Sequence, residues 1–377
     1  MLDSRSCSVA VALFLLAEVA VAQSVHHVGP GGIPTIQAAI DGAAPGDVVQ
    51  IDAGVYAGFD VGKSMTIVAS PSAYVQIVAP AGIHIALSPT DRVQLGGLDL
   101  DAAEFTIQGG SVSAERCTVR TVAGLRIEQT FALLRWCSVW AAANSGVHVH
   151  DAHLHASESS FATAAGSSAT ERFAAIAFAG TCTSGLSTCS VFGAWPAGSS
   201  PSAALDVANL VTPNHRIWVH ACSLIGGFDQ LGNLGPAIVA PTPPTQAPVR
   251  LFDCQVSGGS IGAVDHGPVL GIRTSLDMKI GETFTTTIVG EPGHFLLFYA
   301  GTSFIGQIPI PFAEQPALGL ADMTTVDVKV GDAQGDAAFS LFVPNNPSLR
   351  HVVFVWRGLD LSVAPWQVSP AFATIVQ

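Results

Sequence analysis

The chain contains 377 residues and carries a formal net charge of −13. This acidic balance excludes nucleic-acid binding through a basic surface. Hydrophobic residues make up 49% of the chain and charged residues only 11%, so the chain can bury a large core. Its 38 glycines and its many valines and isoleucines are typical of an all-β protein.

The N-terminus has the pattern of a secretory signal peptide. Arg5 provides a short basic region, an apolar run extends from Val9 to Ala17, and Ala20-Val21-Ala22 supplies the small residues of a cleavage site. We therefore expect residues 1–22 to be removed and the protein to be secreted, with a mature start near Gln23. No later run reaches the ~18–20 apolar residues that a membrane-spanning helix requires, so no membrane span is predicted.

A short amphipathic helix is predicted between Pro34 and Asp47, with Ile36 and Ile40 on one face. A strand at 48–51 and a turn at 54–56 follow it. The passage TIQAAIDGAAPGDVVQIDAGVY, residues 35–56, resembles the N-terminal cap of pectin-lyase-like β-helix proteins, such as pectinesterases and alginate or chondroitin lyases. The resemblance implies a right-handed parallel β-helix whose open end the helix covers.

A strand–bend–strand unit then recurs along the chain. If the first residue of each unit is position 0, apolar residues mostly fill positions 0 and 2, and the next inward pair lies at positions 5 and 7. Because side chains alternate along a strand, this slip of one residue requires a corner at positions 3 and 4. The units begin at Val93, Val112, Ala132, Leu154, Ser184, Ile217 and Val249.

A third strand precedes the early units, and in it two apolar residues alternate with polar ones. Three strands per coil predict an all-β fold, a three-sided parallel β-helix over residues 23–272 with coils ~4.8 Å apart, and the resemblance implies that it is right-handed. These third strands are predicted at Gly82–Ala86, Glu104–Gln108, Gly124–Glu128 and Gly146–His150.

Two regions depart from this regular repeat. The later coils contain Gly/Pro/Ser-rich loops at 163–171, 193–213 and 226–248, and loops on a rigid scaffold often carry function. From residue 273 to residue 377, short alternating strands separated by Gly, Pro and Asn turns predict a C-terminal β-sandwich. At the other end, His26 and His27 are expected to lie in a frayed terminus.

Six cysteines remain after the predicted signal peptide, and five of them occupy position 5 of the unit. Their side chains should therefore form one inward column, about a coil spacing apart. Disulfides have Cβ atoms ~3.8 Å apart, so we expect buried free thiols there. The alternative is a disulfide framework, for which Cys182 and Cys189 are the first pair to test. The column contains Cys117, Cys137, Cys189, Cys222 and Cys254.

The outward positions of the third strands form the candidate site. Their spacing predicts that Arg126 lies beside His148 and that Glu128 lies beside His150 on adjacent coils. Along the stacked coils these outward side chains form two columns, which we call files. His84 belongs to the file of Arg126 and His148, and Gln108 belongs to the file of Glu128 and His150. The candidate binding residues are therefore His84, Gln108, Arg126, Glu128, His148 and His150.

The residue types on this surface leave several functions open. His153 and His155, just past a bend at Asp151, are expected to extend it. A Glu in contact with a His can perform general acid–base catalysis. Several His with Glu128 or Asp151 could hold a transition metal. Arg, His and Gln in a row can hydrogen-bond an extended glycan, and a solvated sheet face without any function shows the same alternation.

The family resemblance implies polysaccharide chemistry, but the chain departs from the catalytic patterns of the family. Pectinesterases carry paired aspartates on central coils, lyases use a Lys or Arg base with acidic calcium ligands, and polygalacturonase-like hydrolases use aspartates on adjacent coils. Here Asp99 and Asp101 lie on one coil only. We therefore predict a non-catalytic extracellular protein, without a cofactor or metal, that binds a polysaccharide or another cell-surface component along the rod. A polysaccharide lyase or hydrolase and a purely structural surface protein are the alternatives.

Overall fold

The computed structural model describes residues 23–164, 173–194, 201–210, 217–229, 231–241, 248–262, 264–266, 271–274, 278–301, 304–308, 317–320, 324–346, 349, 353–362, 367–368 and 372–376. The predicted signal peptide and parts of the three predicted loops lie outside these ranges.

A helix and a long series of short strands make up the first part of the described chain. In order they are β1 (Val25–Val28), α1 (Ile36–Gly42), β2 (Val48–Ile51), β3 (Gly54–Ala57), β4 (Asp60–Val61), β5 (Met65–Ala69), β6 (Val75–Ala79), β7 (Ile83–Ala86), β8 (Arg92–Gly96), β9 (Leu98–Ala102), β10 (Phe105–Gln108), β11 (Ser111–Glu115), β12 (Thr118–Thr121), β13 (Leu125–Glu128), β14 (Phe131–Arg135), β15 (Ser138–Ala141), β16 (Val147–His150), β17 (His153–Ser157), β18 (Ser160–Thr163), β19 (Ala174–Gly180), β20 (Ser184–Ser187), β21 (Ser190–Phe192), β22 (Ala203–Leu210), β23 (Ile217–His220), β24 (Ser223–Ile225), β25 (Ile238–Val239), β26 (Val249–Phe252), β27 (Gln255–Ser257), β28 (Ser260–Ile261) and β29 (Val264–His266).

These strands form three parallel sheets, and each coil contributes one strand to each sheet. The first sheet has the order β1-β2-β5-β8-β11-β14-β17-β20-β23-β26-β29. The second sheet has the order β3-β6-β9-β12-β15-β18-β21-β24-β27, and the third has the order β4-β7-β10-β13-β16-β19-β22-β25-β28. The predicted three-sided parallel β-helix is therefore confirmed.

The predicted register is confirmed at every unit. Val112 pairs with Val93 and with Ala132, and Ile217 pairs with Ser184 and with Val249. The predicted corner is a single residue in the left-handed region, at position 4 of each unit. The residues concerned are Gly97 (φ 68°), Arg116 (53°), Trp136 (49°), Glu158 (50°), Thr188 (53°), Ala221 (51°) and Asp253 (52°).

The corner at Thr188 provides a test of this geometry. A β-branched residue is disfavoured at positive φ, whereas Asn tolerates it, and the Thr188 side chain is exposed. Thr188→Asn should therefore raise the free energy of unfolding by about 0.5–1 kcal/mol in denaturant titrations. The matched control is Thr283→Asn, at an exposed position in a strand, where Thr is preferred and no gain is expected. A loss of stability in Thr188→Asn would contradict the argument.

The inward column of cysteines is also present. All six cysteines of the described residues are free thiols, and Cys182 is buried apart from the column. Within the column the backbone amide of Cys189 donates to the sulfur of Cys222 at 3.2 Å. The column therefore packs as part of the core, together with stacked Val, Ile, Leu and Phe side chains.

The N-terminal cap has the predicted helix, with two corrections around it. Thr35 caps α1 by accepting the amide of Ala38 at 3.1 Å, and the apolar face of the helix is buried. The predicted turn at 54–56 is instead β3, the first strand of the second sheet. The expectation of a frayed terminus at His26 is wrong, because β1 pairs with β2 and His26 Nε2 lies 3.0 Å from Asp47 Oδ2.

The last part of the described chain is antiparallel. Its strands are β30 (Gly271–Thr274), β31 (Thr283–Val289), β32 (Phe295–Gly301), β33 (Phe304–Ile308), β34 (Ala317–Leu320), β35 (Thr324–Val330), β36 (Asp336–Phe342), β37 (Val353–Asp360), β38 (Gln367–Val368) and β39 (Phe372–Ile375). The sheet β30-β31-β36 and the sheet that contains β35, β32, β37, β38 and β39 share one core. At its centre the ring of Trp356 stacks on Phe298, 5.3 Å away, and on Phe284, 5.2 Å away.

Candidate ligand-binding groove

The outward face of the third sheet brings the predicted site residues into register. Arg126 pairs with His148, and Glu128 pairs with His150, on the neighbouring strands β13 and β16. Gln108 precedes Glu128 on β10 in the same file. This arrangement follows from the period of two in each strand, because the alternating Leu, Ile and Val residues are buried on the opposite face.

A groove of about 1010 Å³ lies over these strands. Five of the six predicted residues line it, namely Gln108, Arg126, Glu128, His148 and His150. The groove crosses β10, β13, β16, β19 and β22, so it spans four strand spacings, or ~19 Å along the rod. A site of this length suits an extended ligand better than a small compact one.

Small residues form the floor of the groove beyond the histidines. Ala177 follows His148 in one file, and Ala179 follows His150 in the other. On the next coil the register shifts, because β22 has one more residue than β19 between the pairs Ala177–Asp206 and Ala179–Asn209. Asp206, Ala208 and Asn209, at and beside this bulge, line the groove on β22.

Asp206 stabilises the bulge from within the groove. Its Oδ1 accepts the backbone amide of Ala208 at 2.9 Å, and only 6% of the residue is exposed. A β-bulge removes an amide from the ladder, and a nearby carboxylate is a suitable acceptor for it. Asp206 therefore combines a structural role with a position in the wall of the groove.

Arg126 and Glu128 form an ion pair along one strand. Nη2 of Arg126 donates to Oε1 of Glu128 at 2.6 Å, and Nε donates to the same oxygen at 3.2 Å. The Arg126 side chain is 51% exposed and the Glu128 side chain 26% exposed. The pair presents one donor group and one acceptor group side by side to a ligand.

The environment of His148 determines its tautomer. The backbone amide of Ser145 donates to Asn144 Oδ1 at 2.8 Å, so this atom is an acceptor. His148 Nε2 lies 3.0 Å from the same oxygen and must donate to it. Nδ1 of the neutral ring is then an acceptor. Burial, and secondarily the charge of Arg126, lower the pKa of His148, so the neutral form prevails at pH 7.

His150 is more exposed than His148 and has a different neighbour. Its Nδ1 lies 3.4 Å from Oδ2 of Asp151, whose Oδ1 accepts the amide of Thr181 at 2.7 Å. Asp151 itself adopts a positive φ of 47° at the end of the strand. The imidazole of His150 therefore stands at the edge of the groove, where it can rotate toward a ligand or toward Asp151.

Three predicted members of the surface lie outside the groove. His84 stays in the same file as Arg126, but Thr106 separates the two. The expectation that His153 and His155 extend the surface is wrong, because both belong to β17 of the first sheet. His155 is buried with its ring 5.2 Å from that of Phe131, and His153 Nδ1 lies 3.0 Å from the carbonyl of Thr183.

Several groove residues were missed from the sequence. Asn144 lies in the turn before β16, where the Asn-Ser-Gly sequence indicated only a turn. Asp206 and Asn209 lie on β22, a strand inside the segment 193–213 that was predicted to be a loop. Without a known loop length, the coil position of such a strand cannot be counted from the preceding unit. The polar segment Asn214-His215-Arg216, which follows β22 in the sequence and could also join a site, lies outside the described residues.

Among the described residues, no group of three or more His, Cys, Asp or Glu side chains has an arrangement that could hold a metal ion. None of the helices in the described ranges has the length and apolar character needed to cross a membrane.

Comparison with known proteins gives a distant structural similarity. No family model and no curated protein matches the chain. A solved structure, the full-length tailspike protein 2 of Escherichia coli O157:H7 bacteriophage CAB120, aligns with 93% of this chain at 10% identity and a TM-score of 0.24. The chain spans 64% of that protein's length. The assignment of the fold therefore rests on the three parallel sheets of the chain itself.

Proposed function

We propose that this chain is an extracellular, non-catalytic carbohydrate-binding protein, and that the groove of the third sheet holds an extended glycan. One observation carries this proposal. Planar hydrogen-bonding side chains from successive coils line a single groove along the rod. Amide, guanidinium, carboxylate and imidazole groups can each bond to sugar hydroxyls, which both donate and accept.

The charge of the groove favours an uncharged glycan. Its lining contains three carboxylates, of Glu104, Glu128 and Asp206, and one guanidinium, of Arg126, a formal charge of −2 with neutral histidines. An acidic polymer such as a polyuronate would be repelled by this surface. The proposed ligand class is therefore a neutral polysaccharide.

The first test is binding to a panel of soluble neutral and acidic oligosaccharides, measured by calorimetry. Arg126→Ala removes a charged hydrogen-bond donor, and loss of such a bond costs about 1.5–3 kcal/mol, or about 10–100-fold in Kd. Arg116→Ala, which removes an exposed arginine at a corner of the first sheet, is the matched control and should bind normally. Equal affinities of the two variants, or a preference for acidic oligosaccharides, would contradict the proposal.

The pH dependence of binding gives a second test. The lowered pKa of His148 keeps the ring neutral above pH ~6.5, so affinity should be constant there. As the pH falls below this value and through the lowered pKa, Nδ1 changes from an acceptor to a donor and affinity should drop. Calorimetry at several pH values should show the drop in the unmodified protein and its absence in His148→Ala. An identical pH profile in both proteins would exclude a role for His148.

A second candidate function is cleavage of the same glycan. It is favoured by the position of Asp206, which lies two strands from His148 in the same file, with Ala177 between them. A neutral imidazole with a free acceptor nitrogen can act as a general base, and a buried carboxyl can act as an acid. A reducing-end assay on neutral oligosaccharides decides this point: turnover that disappears in both His148→Ala and Asp206→Asn would replace binding by catalysis.

A further inference from the structure

We propose that the outward face of the second sheet is a separate carbohydrate surface, which binds the flat face of an uncharged, extended β-linked polysaccharide. Two files of outward side chains carry the proposal. The hydroxyl file contains Thr118, Ser138, Ser160, Ser190 and Ser223, one on each of five successive coils. The aromatic file contains Arg120, Trp140, Ala162, Phe192 and Ile225 on the same five coils.

The two aromatic rings are exposed although large apolar side chains of a β-helix are normally buried. Trp140 is 40% exposed and Phe192 is 38% exposed. They belong to β15 and β21, two coils apart, and Ala162 lies between them. Their backbone positions are therefore separated by two strand spacings, or ~9.6 Å. The small side chain of Ala162 leaves the space between the rings open.

This exposure distinguishes the second sheet from the first sheet. On the first sheet the outward side chains of the same coils are buried, as Leu133, His155 and Trp218 show. On the second sheet every outward side chain from Ser138 to Ser257 is exposed or partly exposed. Among the residues that the structure describes, the second sheet therefore presents a flat surface that is open to a ligand, whereas the first sheet does not.

The centre of this surface is uncharged. On the four coils from Ser138 to Ile225 the two files consist only of serines and apolar residues, in a chain with a net charge of −13. A charged cluster marks one border, where Arg120 Nη2 donates to Asp99 Oδ1 at 2.6 Å and the hydroxyl of Tyr74 donates to Asp99 Oδ2 at 2.6 Å. A neutral surface beside such a border selects a neutral partner.

The combination of the two files fits a polysaccharide ribbon better than a protein. The faces of the two aromatic rings can pack against the C–H faces of sugar rings at two points along one polysaccharide chain. A hydroxyl on each coil can donate to or accept from the equatorial hydroxyls along the edge of the same chain. Ser160 Oγ donates to Ser138 Oγ at 3.1 Å, so neighbouring hydroxyls of the file are already aligned. This surface lies on a different sheet from the groove and does not depend on its function.

The test is depletion of the full chain from solution by insoluble cellulose and chitin, as two neutral β-linked polysaccharides. We expect binding that is insensitive to salt and that falls at least ~10-fold in Trp140→Ala/Phe192→Ala, because stacked rings supply about 0.5–1.5 kcal/mol each beyond their buried area. Ala162→Gln, which fills the space between the rings without removing either, should weaken binding as well. Phe295→Ala, which removes a 56% exposed phenylalanine in the antiparallel part, is the matched control.

The outcomes separate this surface from the groove. Arg126→Ala and His148→Ala should leave depletion unchanged, whereas Trp140→Ala/Phe192→Ala should leave binding of soluble oligosaccharides in the groove unchanged. No depletion by either solid, or depletion by the Arg126→Ala protein that survives the added double substitution, would overturn the proposal. A dimer in sedimentation experiments that becomes a monomer in Trp140→Ala/Phe192→Ala would also overturn it, by identifying the face as a contact between two copies of the chain.

Discussion

Replacement of Gly124 by Ala is expected to lower the free energy of unfolding by about 2–5 kcal/mol. Gly124 lies in the turn before β13 with a φ of 90°, and an added Cβ would stand 2.3 Å from the carbonyl oxygen of Ser145 on the next coil. The obstacle is backbone, so it cannot rotate away. Left-handed strain and a steric clash therefore act together.

The same substitution should disturb the groove. Ser145 follows Asn144, which holds the ring of His148, and the added Cβ would also lie 3.4 Å from His148 Cδ2. Gly124→Ala should therefore weaken binding of soluble oligosaccharides in addition to stability. Denaturant unfolding and calorimetry measure the two effects.

Gly31→Ala is the matched control for Gly124→Ala. Gly31 has a similar φ of 84°, but an added Cβ would meet no atom within 4 Å. Gly31→Ala should therefore lower the free energy of unfolding only by the strain of a left-handed residue, about 1 kcal/mol. If Gly124→Ala lowers the free energy of unfolding no more than Gly31→Ala does, the turn at Gly124 does not lie against the carbonyl oxygen of Ser145 on the next coil.

The second large effect is expected at Asp47, in the N-terminal cap. Its Oδ1 accepts the amide of Ser24 at 2.9 Å, and its Oδ2 accepts the amide of Ala44 at 2.8 Å and lies 3.0 Å from His26 Nε2. These bonds tie β1, the end of α1 and the start of β2 together, and only 6% of Asp47 is exposed. Asp47→Ala removes the shared acceptor of three part-buried hydrogen bonds and should lower the free energy of unfolding by about 2–4 kcal/mol.

Asp47 should also shape the acid limb of the stability curve. Three hydrogen bonds lower the pKa of Asp47 in the folded state: the one from the backbone amide of Ser24, the one with the His26 side chain and the one from the backbone amide of Ala44. The stabilisation is then fully present above the unfolded pKa of ~3.9 and is lost as the pH falls through the lower folded pKa. Denaturant titrations below pH 4 should show a steeper loss in the unmodified protein than in Asp47→Ala.

The control for Asp47→Ala is Asp41→Ala in the same cap. Asp41 is an exposed residue of α1 whose carboxylate accepts a hydrogen bond of 2.8 Å from Gln37 Nε2. Its removal should change the free energy of unfolding by less than about 0.5 kcal/mol. Equal losses in the two variants would show that the cap does not depend on the buried carboxylate.

The repeat pattern was sufficient to predict the register of the coils. Each unit buries its alternate residues in the same core, so the inward set at Val112 and Val119 recurs at Ala132 and Val139 and fixes every pairing by counting. The outward pairing of Arg126 with His148 follows directly from this count. The slip in phase also predicted the corner, although its left-handed backbone at residues such as Trp136 is not visible in the pattern.

The sequence by itself therefore determined the three-sided coil, its register and five of the groove-lining residues, because these depend on a local alternation that repeats with the coil. The tertiary structure alone decided which outward faces are open. It buries His155 against Phe131 and leaves Trp140 exposed, although both residues occupy outward positions. It also brings Asp206, on a strand that the repeat pattern did not predict, into the groove. Coverage of a face and the reach of a loop depend on segments distant in the chain, and no local periodicity encodes them.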